Sequence, residues 1–369
     1  MTDLPDFAAE SPRIAVCLGI APWKRVAVAQ MLASDGIDLK FSRTAVQAVD
    51  AAARRGGAIA VWPSRAPAGL DAAAEAAGVP VVRIEDGFIR SAGLGAECHP
   101  PSSIVVDRRG IYFDPSRPSD LEVLLSTTVF DAALVARAGA LIEKIVASGV
   151  TKYNLDDADT PPLPTFSGAA RVVLVAGQVE DDLSVRLGGA GVAGNLDLLR
   201  RARALEPDAV IVFRPHPDVD GGHRKGAVRD ADILRYADHI VRQGSIDTLI
   251  TRVRAVHVLT SLTGFEALLR GREVVVHGQP FYAGWGLTRD LAPPPRRGRR
   301  LTLPELAAAA LILYPRYRDP RTGRPCDPEQ LIDRLSSRSV EAGGVLPAAR
   351  RLQGRIRRAV GDTRVEARA

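Results

Sequence analysis

The sequence predicts an α/β protein with two successive Rossmann-like domains. Short apolar runs alternate with amphipathic stretches through both halves of the 369-residue chain, as in parallel sheets that are covered by helices. Residues 155–167 (LDDADTPPLPTFS) separate the halves, and this proline- and aspartate-rich segment has no helix or strand period. The length also suits two domains of roughly 150 residues each.

The first half opens with residues 13–18 (RIAVCL), an apolar run of strand length, and the same reasoning assigns each later element. Its predicted strands are residues 13–18, 58–62, 79–84 and 104–107, and its predicted helices are 22–33, 70–77 and 118–148. The second half has predicted strands at 171–176, 209–213, 255–259 and 273–277, and predicted helices at 195–204, 245–252 and 264–270. In such sheets ligands bind at the carboxyl ends of the strands.

The proline-rich residues 293–300 (PPPRRGRR) end the second half, and two helices follow. The first covers residues 303–313, and the second is capped by Asp327 with Pro328 in its first turn. The predicted domains are 1–154 and 169–300, with a linker at 155–168, helices at 301–338 that pack back, and a basic, loosely ordered tail at 339–369.

Composition narrows the class of protein. Hydrophobic residues make up 46% and charged residues 25% of the chain, which excludes a largely disordered protein. No apolar run reaches the ~20 residues of a membrane helix, and the acidic N-terminus does not look like a secretory leader. The three cysteines are far apart, which indicates a reducing compartment and gives no metal spacing. We therefore expect a cytoplasmic protein.

The basic residues are mostly arginine. Five of the 49 are lysine and the other 44 are arginine, and the net charge is +6. The planar guanidinium of arginine binds phosphate and carboxylate groups, so the composition is compatible with a polyanionic partner. A genome that prefers arginine codons would also explain the bias. The arginines are spread along the chain without an aromatic–basic motif, so nucleic-acid binding is not expected.

Two acidic loops follow predicted strands. Glu85 and Asp86 end one strand, where either carboxylate could act as a general acid or base, and a plain turn is the alternative. Glu180, Asp181 and Asp182 follow another strand. They could bind a divalent metal, supply a catalytic carboxylate, or only begin a helix.

Two polar loops also lie after strands. His216 is held between two prolines, the second being Pro217, and this stiff setting suits an imidazolium that faces a phosphate. Ser261 and Thr263 open a helix whose free amides make an anion site, with an ordinary N-cap as the alternative. Glu266 in the same helix could reach a ribose hydroxyl.

One loop combines aromatic residues with glycine. Residues 278–290 (GQPFYAGWGLTRD) include Phe281, Tyr282 and Trp285. This loop could line a sugar or base pocket, or it could wedge the two domains together.

Seven longer strings contain these clusters and span roughly residues 14–335. They are EDGFIRSAGLG (85–95), GIYFDPSRPSDLEVLL (110–125), GQVEDDLS (177–184), RPHPDVDGGHRKG (214–226), TSLTGFEALLRG (260–271), GQPFYAGWGLTRD (278–290) and LTLPELAAAALILYPRY (301–317). In this order the strings resemble the bacterial capsule β-Kdo transferases of the KpsC type.

The resemblance implies a GT-B-like fold, in which two Rossmann-like domains face each other across a central cleft. The N-terminal domain would bind the acceptor and the C-terminal domain the CMP-sugar. The implied reaction moves Kdo, an acidic eight-carbon sugar, from CMP-β-Kdo to a Kdo-bearing (lyso)phosphatidylglycerol glycolipid, with retention of configuration and without a cofactor or metal. The product is the poly-Kdo linker of capsular polysaccharide. Familiar members carry two modules, and this chain has room for one.

The resemblance also implies partners and site roles. The partners are CMP-Kdo, the glycolipid acceptor, the inner-membrane surface and other capsule assembly proteins. The arginine-rich tail could rest on the membrane surface. Asp182 would be the nucleophile of a double displacement, and Glu85 or Asp86 the acid/base. The expected donor contacts are Gln178, Ser184, His216, Pro217, Ser261, Thr263 and Glu266, and the expected Kdo or acceptor contacts are Arg90, Ser91, Tyr282 and Trp285.

Two alternatives remain, of which one is another CMP-sugar transferase and the other belongs to a different functional class. A sialyltransferase-like enzyme would use another CMP-sugar with similar chemistry, because sialic acid and Kdo are related acidic sugars. A non-catalytic module that binds the nascent glycolipid is the second alternative, and the carboxylate loops argue against it because a binder has no use for them.

Overall fold

A computed structural model describes residues 13–32, 39–91, 98–152, 154 and 171–336. Within these residues the strands form two six-stranded sheets, and the chain divides into two compact units. The first unit contains the described parts of residues 1–91, 100–148 and 304–340, and the second contains those of 92–99 and 149–303. The predicted linker at 155–168 and the basic tail at 339–369 lie outside the described residues.

The first sheet has the order β12-β5-β4-β3-β1-β2. Its strands are β1 (Ile14–Leu18), β2 (Lys40–Ser42), β3 (Ala58–Val61), β4 (Val81–Asp86), β5 (Ser103–Asp107) and β12 (Pro315–Tyr317). The four strands β2, β1, β3 and β4 are parallel, whereas β5 and β12 are antiparallel to their neighbours. The prediction of a parallel sheet is therefore correct only for these four strands. The described residues between β4 and β5 include no crossover helix, and a parallel pair would need one.

The helices of the first unit cover both faces of its sheet. They are α1 (Arg25–Leu32), α2 (Ala45–Arg55), α3 (Leu70–Ala76), α4 (Asp120–Thr127) and α5 (Ala132–Ser148). Apolar residues of α1 join one core cluster, and alanines of α2 join another with β1 and β3. The predicted single helix at 118–148 is two helices, because Asp131 starts α5 by accepting the Leu134 backbone N–H at 2.8 Å.

The strand β2 and the helix α2 were not predicted. The strand has only three residues, and the residues that α2 buries are all alanine (Ala48, Ala51 and Ala52). The local signals are nevertheless clear: the Thr44 hydroxyl accepts the Gln47 N–H at 3.3 Å, and Gly56 ends the helix with a φ of 60°.

The described residues from 304 onwards belong to the first unit, although they follow the second unit in the sequence. This agrees with the prediction that the C-terminal helices pack back. Helix α12 (Leu303–Ala307) continues as a π-helix, Ala308–Leu313, and α13 (Pro328–Ser336) follows β12. Arg137 of α5 holds Glu329 of α13 at 2.8 Å, and the Tyr314 hydroxyl donates to the buried Asp107 carboxylate at 2.8 Å.

The second sheet is fully parallel, with the order β11-β10-β9-β6-β7-β8. Its strands are β6 (Val172–Ala176), β7 (Val210–Arg214), β8 (His239–Ile240), β9 (Ala255–Val258), β10 (Glu273–Val276) and β11 (Arg289–Asp290). Its helices are α6 (Leu183–Gly188), α7 (Asn195–Leu205), α8 (Pro217–Asp220), α9 (Asp230–Ile233), α10 (Ile246–Thr251) and α11 (Leu262–Leu269). The apolar strands that were predicted here are confirmed, since central parallel strands are buried on both faces.

No described helix combines the length and the apolar character that crossing a bilayer requires.

Candidate functional site

The carboxyl edge of the second sheet collects the predicted donor-site groups. Gln178 and Asp182 follow β6, His216 follows β7, and Ser261 follows β9. From β6 the chain adds β7 and β8 on one side of the sheet, and β9, β10 and β11 on the other. The boundary between β6 and β9 is therefore a topological switch point, the place where open α/β sheets bind nucleotides.

Gln178 joins the two loops at this switch point. Its side-chain carbonyl accepts the Thr260 backbone N–H at 2.7 Å, and its amide donates to the Thr260 hydroxyl at 2.9 Å. Asn195 holds the Gln178 backbone from the other side, by accepting its N–H and donating to its carbonyl, both at 2.8 Å. Gln178 is thus a fixed part of the site wall.

The three neighbouring acids have separate roles. Glu180 accepts the Asn195 backbone N–H at 2.8 Å and so closes the loop on itself. Asp181 forms an ion pair with Arg224 at 3.0 Å. Asp182 caps α6 by accepting the backbone N–H of Ser184 at 3.0 Å and its hydroxyl at 2.8 Å, and its side chain is 46% exposed. Asp181 is equally exposed but is bound to Arg224, so the resemblance, and not exposure, singles out Asp182.

His216 follows β7, the strand that pairs with β6. Its Nδ1 accepts the Asp218 backbone N–H at 3.1 Å, so the neutral ring carries its proton on Nε2 and can donate from there. Burial lowers the pKa of His216, while the Asp218 and Asp182 carboxylates oppose this shift and the Lys152 and Arg224 charges add to it. The lowered pKa favours a neutral ring near pH 7 in the unliganded protein, and the expected imidazolium that faces a phosphate stays a prediction. Pro217 follows at the first position of α8.

Ser261 caps α11, the helix on the other side of the switch point. Its hydroxyl accepts the Thr263 backbone N–H at 3.2 Å and lies 3.1 Å from the Thr263 hydroxyl. Glu266 in the same helix is only 7% exposed and accepts the Lys152 backbone N–H at 2.9 Å. Burial raises the pKa of Glu266. Its visible role is to hold the 149–154 segment against α11.

Tyr282 and Trp285 lie in the core of the second unit, which corrects their expected contact with the acceptor. Both are 0% exposed, so neither ring has surface to offer a sugar. The Tyr282 hydroxyl donates to the Ser261 carbonyl, and the Trp285 indole N–H donates to the Phe281 carbonyl at 2.8 Å. Tyr282 thereby supports the start of α11 from behind.

The acidic pair of the first unit ends β4. Asp86 is engaged by two cations: Lys24 Nζ lies 3.0 and 3.1 Å from its two oxygens, and Arg90 Nε lies 2.7 Å away. Lys24 is itself buried and lies 3.6 Å from the centre of the Trp62 ring. The half-buried Glu85 accepts the Asp86 backbone N–H at 3.0 Å. Asp86 is thus held by two cations, and which of the two acids would transfer the proton stays a prediction.

Arg90 and Ser91 also require a correction. Arg90 is 0% exposed and divides its donors between Asp86 and the Ser91 hydroxyl, the latter at 2.6 Å. A guanidinium without exposed surface does not meet a sugar carboxylate in this conformation. Its role is to fix the acidic pair, and Ser91, which is 4% exposed, assists it.

Sequence reasoning missed Lys24 and Arg224 as members of these clusters, and it placed Thr260 at the helix start without its contact to Gln178. Lys24 is 62 positions from its partner Asp86, and Thr260 is 82 positions from Gln178, so only the topology reveals the pairs. Arg224 lies within a string that was noted for other reasons. In the described part of the chain, no group of three or more His, Cys, Asp or Glu is arranged to hold a metal ion.

The comparisons with known proteins agree with this architecture. Two α/β units with six-stranded sheets, the second with a topological switch point, are typical of a GT-B-like fold. Residues 57–317 match the family model described as "Capsule polysaccharide biosynthesis protein". The chain belongs to this family.

Named relatives cover most of the chain. The capsule polysaccharide modification protein LipA of Neisseria meningitidis serogroup A is 42% identical over 314 residues, which is 85% of this chain and 44% of LipA. The lipopolysaccharide-processing protein LpsZ of Rhizobium meliloti is 39% identical, over 92% of this chain and 77% of LpsZ. The chain thus spans less than half the length of LipA.

Two solved structures share the fold. The β-Kdo 2,7 transferase of Thermosulfurimonas dismutans KpsC has a TM-score of 0.70 at 33% identity, and covers 88% of this chain and 99% of its own. The β-Kdo 2,4 transferase of the same KpsC has a TM-score of 0.73 at 31% identity, and covers 88% and 98%. The chain therefore has the fold of the KpsC β-Kdo transferases.

Proposed function

We propose that this chain is a retaining β-Kdo transferase that moves Kdo from CMP-β-Kdo to a Kdo-terminated (lyso)phosphatidylglycerol glycolipid. The family and the similarity to two KpsC modules support the reaction class. The observation that carries the proposal is the placement of Asp182 and His216 after two neighbouring strands, β6 and β7, at the carboxyl edge of the second sheet. The product would extend a poly-Kdo linker of capsular polysaccharide.

In the first step, an Asp182 oxygen attacks the anomeric carbon of Kdo. The bond from that carbon to the phosphate oxygen breaks, and CMP leaves with the bonding electrons. The capping bonds from Ser184 occupy Oδ1, which leaves Oδ2 as the attacking atom. Fixing the carboxylate in this way reduces the orientational cost of the attack.

His216 and the start of α11 stabilise the leaving phosphate. The neutral ring donates from Nε2, because Nδ1 is already occupied by the Asp218 N–H. Ser261 and Thr263 offer hydroxyls at the helix N-terminus, where the helix dipole favours an anion. Preorganised donors of this kind stabilise charge as it develops and need no reorganisation.

In the second step, the acceptor hydroxyl displaces Asp182 from the anomeric carbon. The hydroxyl proton passes to Glu85, which we propose as the base because both oxygens of Asp86 face Lys24. Two displacements at one carbon give net retention. Metal is not required in this scheme, since neutral donors and a helix N-terminus receive the phosphate.

Product analysis tests the proposal. The chain is incubated with CMP-Kdo or CMP-sialic acid and a Kdo-bearing lipid acceptor, and the product is analysed by NMR. We expect transfer from CMP-Kdo alone, with a β linkage whose position the spectrum assigns. Transfer from CMP-sialic acid would favour a sialyltransferase-like enzyme, and acceptor binding without transfer would favour a glycolipid-binding module.

A further inference from the structure

Arg224 occupies a defined place beside the proposed nucleophile. Its Nη2 lies 3.0 Å from Asp181 Oδ1 and 3.9 Å from Asp182 Oδ2, and its side chain is 41% exposed. Its charge also acts on His216. The guanidinium therefore lies next to the carboxylate that is proposed to attack the sugar.

The loop that carries Arg224 is fastened to the Asp182 loop. The Asp218 carbonyl accepts the Arg224 N–H at 3.1 Å, and the Lys225 carbonyl accepts the Glu180 N–H at 3.1 Å. One residue further on, Asn195 donates to the Gly226 carbonyl at 2.9 Å. These backbone bonds fix the base of the arginine, so its position beside Asp182 is built into the fold.

The chemistry of a 2-keto acid sugar gives this position a meaning. In Kdo the carboxylate is bonded directly to the anomeric carbon. When an Asp182 oxygen attacks that carbon, the sugar carboxylate must lie next to the aspartate, where two negative charges would repel. A cation at this point removes the repulsion and orients the sugar.

We infer that Arg224 is the specificity residue that binds the carboxylate of the donor sugar, while Asp181 holds its guanidinium in place. The inference rests on the proposed function and assigns to Arg224 the role first expected of Arg90. Arginine has five N–H donors. Arg224 uses its Nε and Nη2 to donate to one oxygen of Asp181, so its remaining N–H groups can donate to a second carboxylate.

Binding measurements separate the sugar carboxylate from the nucleotide. Titration calorimetry is carried out with CMP and with CMP-Kdo in an Asp182→Asn background, which prevents turnover and keeps a capping side chain. Arg224→Gln should weaken CMP-Kdo by about tenfold or more, as the loss of a charge-assisted bond does, and should change CMP by less than about twofold. Arg224→Lys should restore part of the loss, because it keeps the charge without the fork.

The matched control is Arg229→Gln, which removes an 83% exposed arginine that pairs with Asp232. It should leave both affinities unchanged. An equal loss for CMP and CMP-Kdo in Arg224→Gln would overturn the inference, because it would indicate a phosphate contact or a damaged fold. No loss for either probe would overturn it too, and would make Arg224 only a partner of Asp181. If the Asp182→Asn protein with Arg224 in place bound neither CMP nor CMP-Kdo, the proposed function would be refuted instead.

Discussion

The Gln178–Thr260 connection is the clearest structural test of the switch-point site. Gln178→Leu keeps the approximate size of a side chain that is 8% exposed and removes its two side-chain bonds to Thr260, at 2.7 and 2.9 Å. Each such bond contributes a net ~0.5–1.5 kcal/mol, so the variant should lose about 1–3 kcal/mol of unfolding free energy. In a unit of this size, each 1 kcal/mol lowers the Tm by about 2–4 °C.

The assay combines denaturant unfolding with CMP titration. Thr260→Val is the matched variant, since it removes the hydroxyl and leaves the backbone N–H in place. The two changes share one hydrogen bond, so the double variant should lose less than the sum of the single losses. CMP affinity should fall in parallel, because the loops after β6 and β9 are no longer joined. If Gln178→Leu lost less than about 0.5 kcal/mol of unfolding free energy and bound CMP as the wild type does, the Gln178–Thr260 connection would not hold the site together. Substitutions at unimportant surface positions have effects of that size.

Three further predictions follow from the structure. Burial lowers the pKa of His257 and of His277 to about 4, so stability should be full above the ordinary pKa of 6.5 and should fall as the pH drops towards 4, by roughly 2 kcal/mol at pH 5 for one such histidine. Urea unfolding from pH 7.5 to 5 checks this, and His257→Gln should flatten the dependence. Trp285→Ala should cost about 3–5 kcal/mol without a change in acceptor KM relative to kcat in the folded fraction, whereas a KM effect alone would restore the ring as an acceptor contact. A chelator should leave turnover unchanged, and activity that returned only with an added divalent metal would contradict the scheme.

The fold of the second unit could be predicted from local signals because its strands are buried on both faces. The runs at 171–176 and 255–259 read as continuous apolar segments, and each matches a central strand to within one residue at either end. The first unit was harder. The helix α2 buries only alanines, whose small side chains give a weak amphipathic pattern. The strand β5 pairs antiparallel with β4, and no local pattern indicates this direction.

In the candidate site, too, some features could be predicted from the sequence and others could not. The loop of Asp182 and the loop of His216 were predicted from their places after strands, while only the resemblance singled out Asp182 among three acids. Both residues lie at the carboxyl edge of the second sheet. Burial was not predictable for Trp285, since a glycine-rich aromatic loop usually suggests an exposed binding surface. Here the Arg297 guanidinium covers the indole at 5.8 Å from the ring centre and donates to the Pro280 and Ala283 carbonyls. Such long-range closure depends on the tertiary fold.

The most direct measurement is intact-protein mass spectrometry after exposure to CMP-Kdo without acceptor. The wild-type chain and Glu85→Gln, which cannot take up the acceptor proton, should each gain the mass of one Kdo residue, and peptide mapping should place it on Asp182. Asp182→Ala should remain unlabelled and should not transfer Kdo. Labelling of Asp182→Ala at the wild-type level, or near-normal transfer by that variant, would show that the sugar is never held by this aspartate.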